Sequence, residues 1–152
     1  MVRSILMFLC FVCFYGTAFA EPAVFGPKEC QYSIDVPEGW DKSVTGSSIL
    51  VTSSDKENSL AVTIFDDKKV TIKSLQQILP SKLGLTDVVK QEKKQDVFIT
   101  GTCEGVSLQV TLRSTAEGII TTIAAGNEKD ILKKCISSLH VVSKKEGNKK
   151  HE

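Results

Sequence analysis

The 152-residue chain contains two histidines, one tryptophan and no run of like charge long enough to dominate it. Those shortages exclude a good deal. His140 ends an apolar helical pattern and His151 lies in the polar tail, so they are not spaced as metal ligands, and there is no Cys-x-x-Cys. A serine hydrolase needs a base held against its nucleophile, and without a Gly-x-Ser-x-Gly only His140 is available. The glycines are scattered at expected turns and strand ends, so no phosphate loop is present. The carboxylate pairs Asp66/Asp67 and Glu38/Asp41 fall in turns, where adjacent acids are ordinarily solvated. The formal charge is +1, with 19 basic and 18 acidic residues. Nucleic-acid binding through released counterions needs a basic face, and this balance argues against it. Neither a cofactor nor an enzymatic activity is expected.

The start of the chain is more informative. Arg3 precedes an apolar stretch from Ile5 to Tyr15, and Ala18-Phe19-Ala20 is a small-x-small pattern. This is the layout of a signal peptide over residues 1–20, cleaved between Ala20 and Glu21. The stretch is shorter than the roughly 20 apolar residues of a membrane span. An uncleaved anchor is the rival interpretation. A lipid-anchored cysteine fits poorly, because Cys10 and Cys13 come too early and lack the usual small residues before them. The expected product is exported, and periplasmic if the source is bacterial. It would be a single domain over residues 21–142, followed by a disordered polar tail, "SKKEGNKKHE", over 143–152.

Within the domain, Gln31–Val36 alternates apolar and polar residues as a half-buried strand, stopped by Pro37 and Gly39. "SSILVTS" and "SLAVTIFD" read as a hairpin around "SDKEN". Ile72, Leu75, Ile78 and Leu79 share one helical face behind an N-cap at Thr71, and Pro80 should end or kink that helix near Leu79. Up to four short strands follow. The clearest runs from Val106 to Arg113, with Val106, Leu108, Val110 and Leu112 facing inward and one wet or partly covered face opposite. Gly101, inside a strand pattern, marks a bulge or a close backbone approach. The final helix is expected from an Asn127 N-cap, with Ile131, Leu132, Cys135, Ile136 and Leu139 as its apolar stripe. Strands, helix, strands, helix is the order of an α+β domain, an antiparallel sheet with helices on its faces.

"YSIDVPEGW" resembles the opening of PsbP/DcrB-like proteins, which share a fold with the yeast Ran-binding Mog protein. "TGTCEGVSLQVTL" looks like that family's later hairpin, and "ILKKCISSLHV" is similar to its closing helix. The element order matches from Tyr32 to Val142. The resemblance implies an α-β-α sandwich and a binding or assembly role, with an envelope protein as the expected partner. It supplies no catalytic residues.

Three cysteines, Cys30, Cys103 and Cys135, follow the leader, and all point inward in the inferred register. Exported chains favour disulfides. One bridge with a spare thiol, and three buried thiols, are both open. Cys30–Cys135 is slightly favoured over Cys103–Cys135, and it would fasten the first strand to the last helix. A thiol-active redox protein is a third functional option. A carrier of a small apolar ligand in a helix–sheet groove is another, with Tyr32, Trp40, Phe65 and Phe98 as groove walls or anchors.

Overall fold

The computed structural model describes residues 19–144, with side chains described from Glu21 to Val142. Residues 1–18, and so nearly all of the expected leader, lie outside the described residues, as do 145–152 of the tail. Among the described residues there are ten strands and two helices. They run β1 (Phe19–Phe25), β2 (Cys30–Pro37), β3 (Asp41–Thr45), β4 (Ser48–Thr52), β5 (Ser59–Phe65), α1 (Ile72–Lys82), β6 (Thr86–Lys93), β7 (Asp96–Cys103), β8 (Val106–Thr115), β9 (Gly118–Ala125), α2 (Lys129–Ser138) and β10 (His140–Lys144). Seven strands form one sheet in the order β3-β4-β5-β9-β8-β7-β6, and three form another in the order β1-β2-β10. Every strand pairing is antiparallel. The domain is therefore α+β, as the element order predicts, but its strands are divided between two sheets rather than one.

Strand alternation sends side chains to two cores. On one face of the large sheet, Ile49, Val51, Leu60, Val62 and Ile64 pack against β2 and against Leu132 and Cys135 of α2. On the other, Val97, Ile99, Val110 and Leu112 meet Leu75 of α1. In β8 the two central inward residues, Val110 and Leu112, are fully buried, but Val106 is 47% exposed where the strand begins.

Local rules account for α1. Thr71 caps it, accepting the Ser74 N–H at 3.1 Å while the Ser74 hydroxyl accepts the Thr71 N–H at 3.1 Å. Pro80 does not end the helix, which continues to Lys82. A proline there cannot supply the N–H that the Gln76 carbonyl would otherwise accept. The Lys90 ammonium of β6 donates to that carbonyl instead, at 3.0 Å. Gly101 marks both a bulge and a close approach: the β6–β7 register shifts opposite it, between Thr86 and Val89, and a Cβ there would stand 2.9 Å from the Thr86 carbonyl oxygen.

The other end of the chain departs from its sequence pattern. Helix α2 stops at Ser138, and His140 opens β10 instead of ending a helix. Ser143 and Lys144, expected in the tail, are backbone partners of Gln31 and Cys30. Asn127 does not cap α2; the N-cap is Glu128, and its N–H is taken at 2.9 Å by the buried side chain of Asn58, 70 residues away in sequence. All three described cysteines are free thiols. The attachment expected from a Cys30–Cys135 bridge is made otherwise. The Ser138 hydroxyl accepts the Asp35 N–H at 2.8 Å, and β10 pairs directly with β2.

Candidate functional site

The four aromatic side chains singled out from sequence do not converge on one groove. Tyr32 is 2% exposed inside the β2 core, its ring tilted against Phe25 with centroids 6.4 Å apart. Burial pushes its phenol up to about 12. Trp40 packs half-buried against the same core. It follows a turn in which the Trp40 N–H donates to the Pro37 carbonyl at 3.2 Å and Gly39 takes a φ of 77°. That conformation is easy for glycine and strained for most other residues. Phe65 packs on the α1 side of the large sheet. Phe98 alternates with the buried Val97 and Ile99, and so faces the opposite, α2 side.

The cysteines are equally dispersed. Cys135 is fully buried and its thiol is pushed up to about 11 by burial, with the Asp35 charge nearby adding to the effect. A thiol so held is a poor nucleophile at neutral pH. Cys30 is buried near Tyr32, and half-buried Cys103 lies near Gly84. Asp55 is held below the usual carboxylate range by the Ser53 hydroxyl and the Glu57 N–H. Asp96 is held low by Arg113, which grips it with two bonds of 2.8 Å. These shifts all move groups away from neutrality, opposite to what proton transfer at pH 7 would use. Among the described residues no three His, Cys, Asp or Glu side chains are placed to hold a metal ion, and no helix is long and apolar enough to cross a membrane.

A different feature emerges on the α2 side. Helix α1 covers one face of β7 and β8, but no described element covers the opposite face of the outer strands β6, β7 and β8. There Thr100, Gln109 and Arg113 are exposed, and Phe98 and Thr111 are half-buried. Register aligns these residues across the strands: Thr100 with Gln109, Phe98 with Thr111, and Thr111 with the buried Thr122 at the foot of the helix. Where α2 rises from this floor it leaves a groove of about 130 Å³, floored by Thr100, Thr111 and Thr122 and walled by Lys129, Leu132 and Lys133. The groove continues past Ile136 into a pit of about 70 Å³ between Ile120, Leu139 and Arg113. Beyond Arg113 a shallower hollow reaches the β6–β7 turn at Lys93 and Lys94.

Sequence reasoning anticipated the wet face of β8 and a helix–sheet groove, but set the groove's walls at Tyr32, Trp40, Phe65 and Phe98, of which only Phe98 reaches it, in the shallow hollow beyond Arg113. The groove's threonines read as ordinary outward strand residues, and only the packing of α2 gives them a wall. A larger hollow, about 870 Å³, opens between α1 and the β6–β7 turn. Its charges balance, with Lys73 and Lys94 against Glu92 and Asp96, so it carries no electrostatic signature.

No protein-family model matches the chain. No curated protein matches it in sequence. Among solved structures the chain is similar to cyanobacterial PsbP (CyanoP) from Synechocystis, with a TM-score of 0.50 and 15% identity over 84% of this chain and 96% of that one. The fold is thus PsbP-like; at 15% identity the likeness concerns architecture alone.

Proposed function

We propose that this chain is an exported, non-enzymatic binding or assembly protein, built on PsbP-like α-β-α layering, whose protein partner docks beside α2. The observation that carries this reading is the groove beside the uncovered half of the large sheet. Strands β7 and β8 pack one face against α1 and, among the described residues, leave the other open, floored by Thr100, Gln109 and Thr111. A solvated polar face is ordinary in an antiparallel sheet; what distinguishes this one is the groove formed where α2 stands beside it. The away-from-neutral titration of its shifted groups fits a scaffold better than a catalyst.

Export suits the N-terminal strand. Regular pairing of β1 begins at Glu21 opposite Val36, after a register shift that sets off Phe19. Cleavage after Ala20 leaves that regular portion intact. The apolar-ligand carrier is less favoured. Its proposed walls are dispersed, and the groove, at about 130 Å³, is smaller than the roughly 300–1,000 Å³ of small-molecule sites.

The test is site-specific photocrosslinking in native cells, from Thr100 or Gln109 and, as a control, from Lys69 beside α1. One discrete protein adduct from the first two positions and none from the third is expected. Equal labelling from all three, or no adduct anywhere, would overturn the assignment.

A further inference from the structure

The docking groove carries charge of one sign. Lys129, Lys133 and Arg113 line the groove and its pit with no acidic residue among the lining side chains. The adjoining hollow adds Lys93 and Lys94 against Asp96 alone. Asp96 and Arg113 neutralise one another, so the uncompensated charge is that of the four lysines. The four lysines form no ion pair among the described residues. Glu128 and Asp130 flank Lys129 in sequence but do not line the groove. In a chain whose total charge is only +1, this is a local concentration of cations over a hydroxyl-rich floor, and it selects for a negatively charged occupant.

The shape narrows the choice. The groove follows β8 from Ser107 to Arg113, six residue steps or about 20 Å at strand rise. Helix α2 runs beside it from Lys129 to Leu139. An extended peptide of about six residues spans that length. The pit between Ile120, Ile136 and Leu139 holds about 70 Å³, roughly half the size of a cavity known to hold benzene, and so accepts one small aliphatic side chain. Phe98 is the only aromatic residue lining these hollows, so the stacking platform that single-stranded nucleic acid uses is missing from the groove.

From this we infer that the occupant is an extended acidic segment of a protein partner. Two acidic residues would lie against Lys129 and Lys133, and a valine- or leucine-sized side chain four to six residues along would enter the pit. The inference rests on the docking assignment above and adds the chemistry of the partner.

The test uses the full processed chain and fluorescent octapeptides read by anisotropy. One peptide carries Glu-x-Glu, which sets both carboxylates on one side of an extended chain, followed four residues later by Val; a second carries Lys at both acidic positions. Saturable binding of the acidic peptide alone is expected, weakening as NaCl is raised from 20 to 300 mM (about 20 and about 300 mM). The double variant Lys129→Glu/Lys133→Glu should weaken it by about tenfold or more, while the charge-matched Lys68→Glu/Lys69→Glu leaves it unchanged. All four lysines lie outside the core, and an unchanged urea midpoint confirms folding. Absence of saturable binding would overturn the inference, as would equal loss in both double variants. Tighter binding of an oligonucleotide or of anionic phosphatidylglycerol vesicles, abolished by the Lys129/Lys133 changes, would overturn it too. A discrete crosslinked partner from Thr100 combined with no peptide binding would remove the acidic-segment inference and leave the docking site standing.

Discussion

The Lys90–Gln76 contact offers a sharp test of how this chain tolerates a proline inside a helix. Pro80 deprives the Gln76 carbonyl of its helical donor, and the Lys90 ammonium, 3.0 Å away, replaces it. Lys90→Met keeps the aliphatic stem and removes the donor. Hydrogen bonds involving a charged group are worth about 1.5–3 kcal/mol, and exposure of this one brings the expected loss down to about 0.5–1 kcal/mol. For a domain of this size that is a fall in Tm of about 2–5 °C. Pro80→Ala restores an N–H at position 80, so in that background the same Lys90→Met change should cost less than about 0.3 kcal/mol. Urea midpoints for the four proteins at constant m complete the cycle. A coupling of about 0.5 kcal/mol or more supports the substitution of ammonium for amide. An equal cost in both backgrounds would refute it, because Lys90 would then act through packing or general charge alone.

Other outcomes follow from the same structure. Ser138→Ala should cost about 1–3 kcal/mol by urea unfolding, because it leaves the partly buried Asp35 N–H without its acceptor; a change below about 0.5 kcal/mol would show that β10 pairing alone holds α2 to β2. Gly118→Ala should destabilise by at least about 2 kcal/mol, since Gly118 has a φ of 145° and a Cβ there would lie 2.1 Å from the Phe65 carbonyl oxygen. Stability should fall as pH rises above about 9. Cys135 and Tyr32 have folded-state values raised to about 11 and about 12 from 9.0 and 10.0, so above their ordinary values the unfolded chain releases protons that the folded chain retains. The fall should be smaller in Cys135→Ala than in the parent between pH 9 and 11 (from about 9 to about 11), and a flat profile in the parent would contradict the burial argument. Native alkylation should label Cys103 well before Cys135, which is fully buried.

The elements legible in sequence were those whose pattern is local. Thr71 and Ser74 announce a helix start because capping involves neighbours three residues apart. Strand β8 announces its faces because alternation is a two-residue rule. What was not legible depends on distant partners. The α2 cap comes from Asn58, and the helix outlasts Pro80 because Lys90 reaches across to it. Strand β10 looked like the end of a helix because His140, Val141 and Val142 continue an apolar stretch; β2 lies there waiting to be paired, and that pairing overrides the local pattern. The groove's position was hidden for the same reason. Thr100, Thr111 and Thr122 lie on three strands, and register and the seating of α2 bring them together. The predicted aromatic walls do not meet because a large apolar side chain has many places to be buried: Tyr32 and Trp40 joined the core beneath β2, and Phe65 the one beneath α1.

Strand β2 is flanked by β1 on one side and by β10 on the other, and the Asp35–Ser138 bond spans 103 residues. The hairpins of the large sheet can assemble as the chain lengthens, because each pairs near neighbours. The small sheet has no such freedom: half of its pairing surface stays bare until residues 140–144 are available. Such long-range closure is slow relative to local pairing. A chain emerging during synthesis is therefore unable to lock its final topology until nearly all of the domain has been made. The same topology that ties the two ends together in the finished protein acts as a delay in its making, holding back the final fold until the last strand is in place.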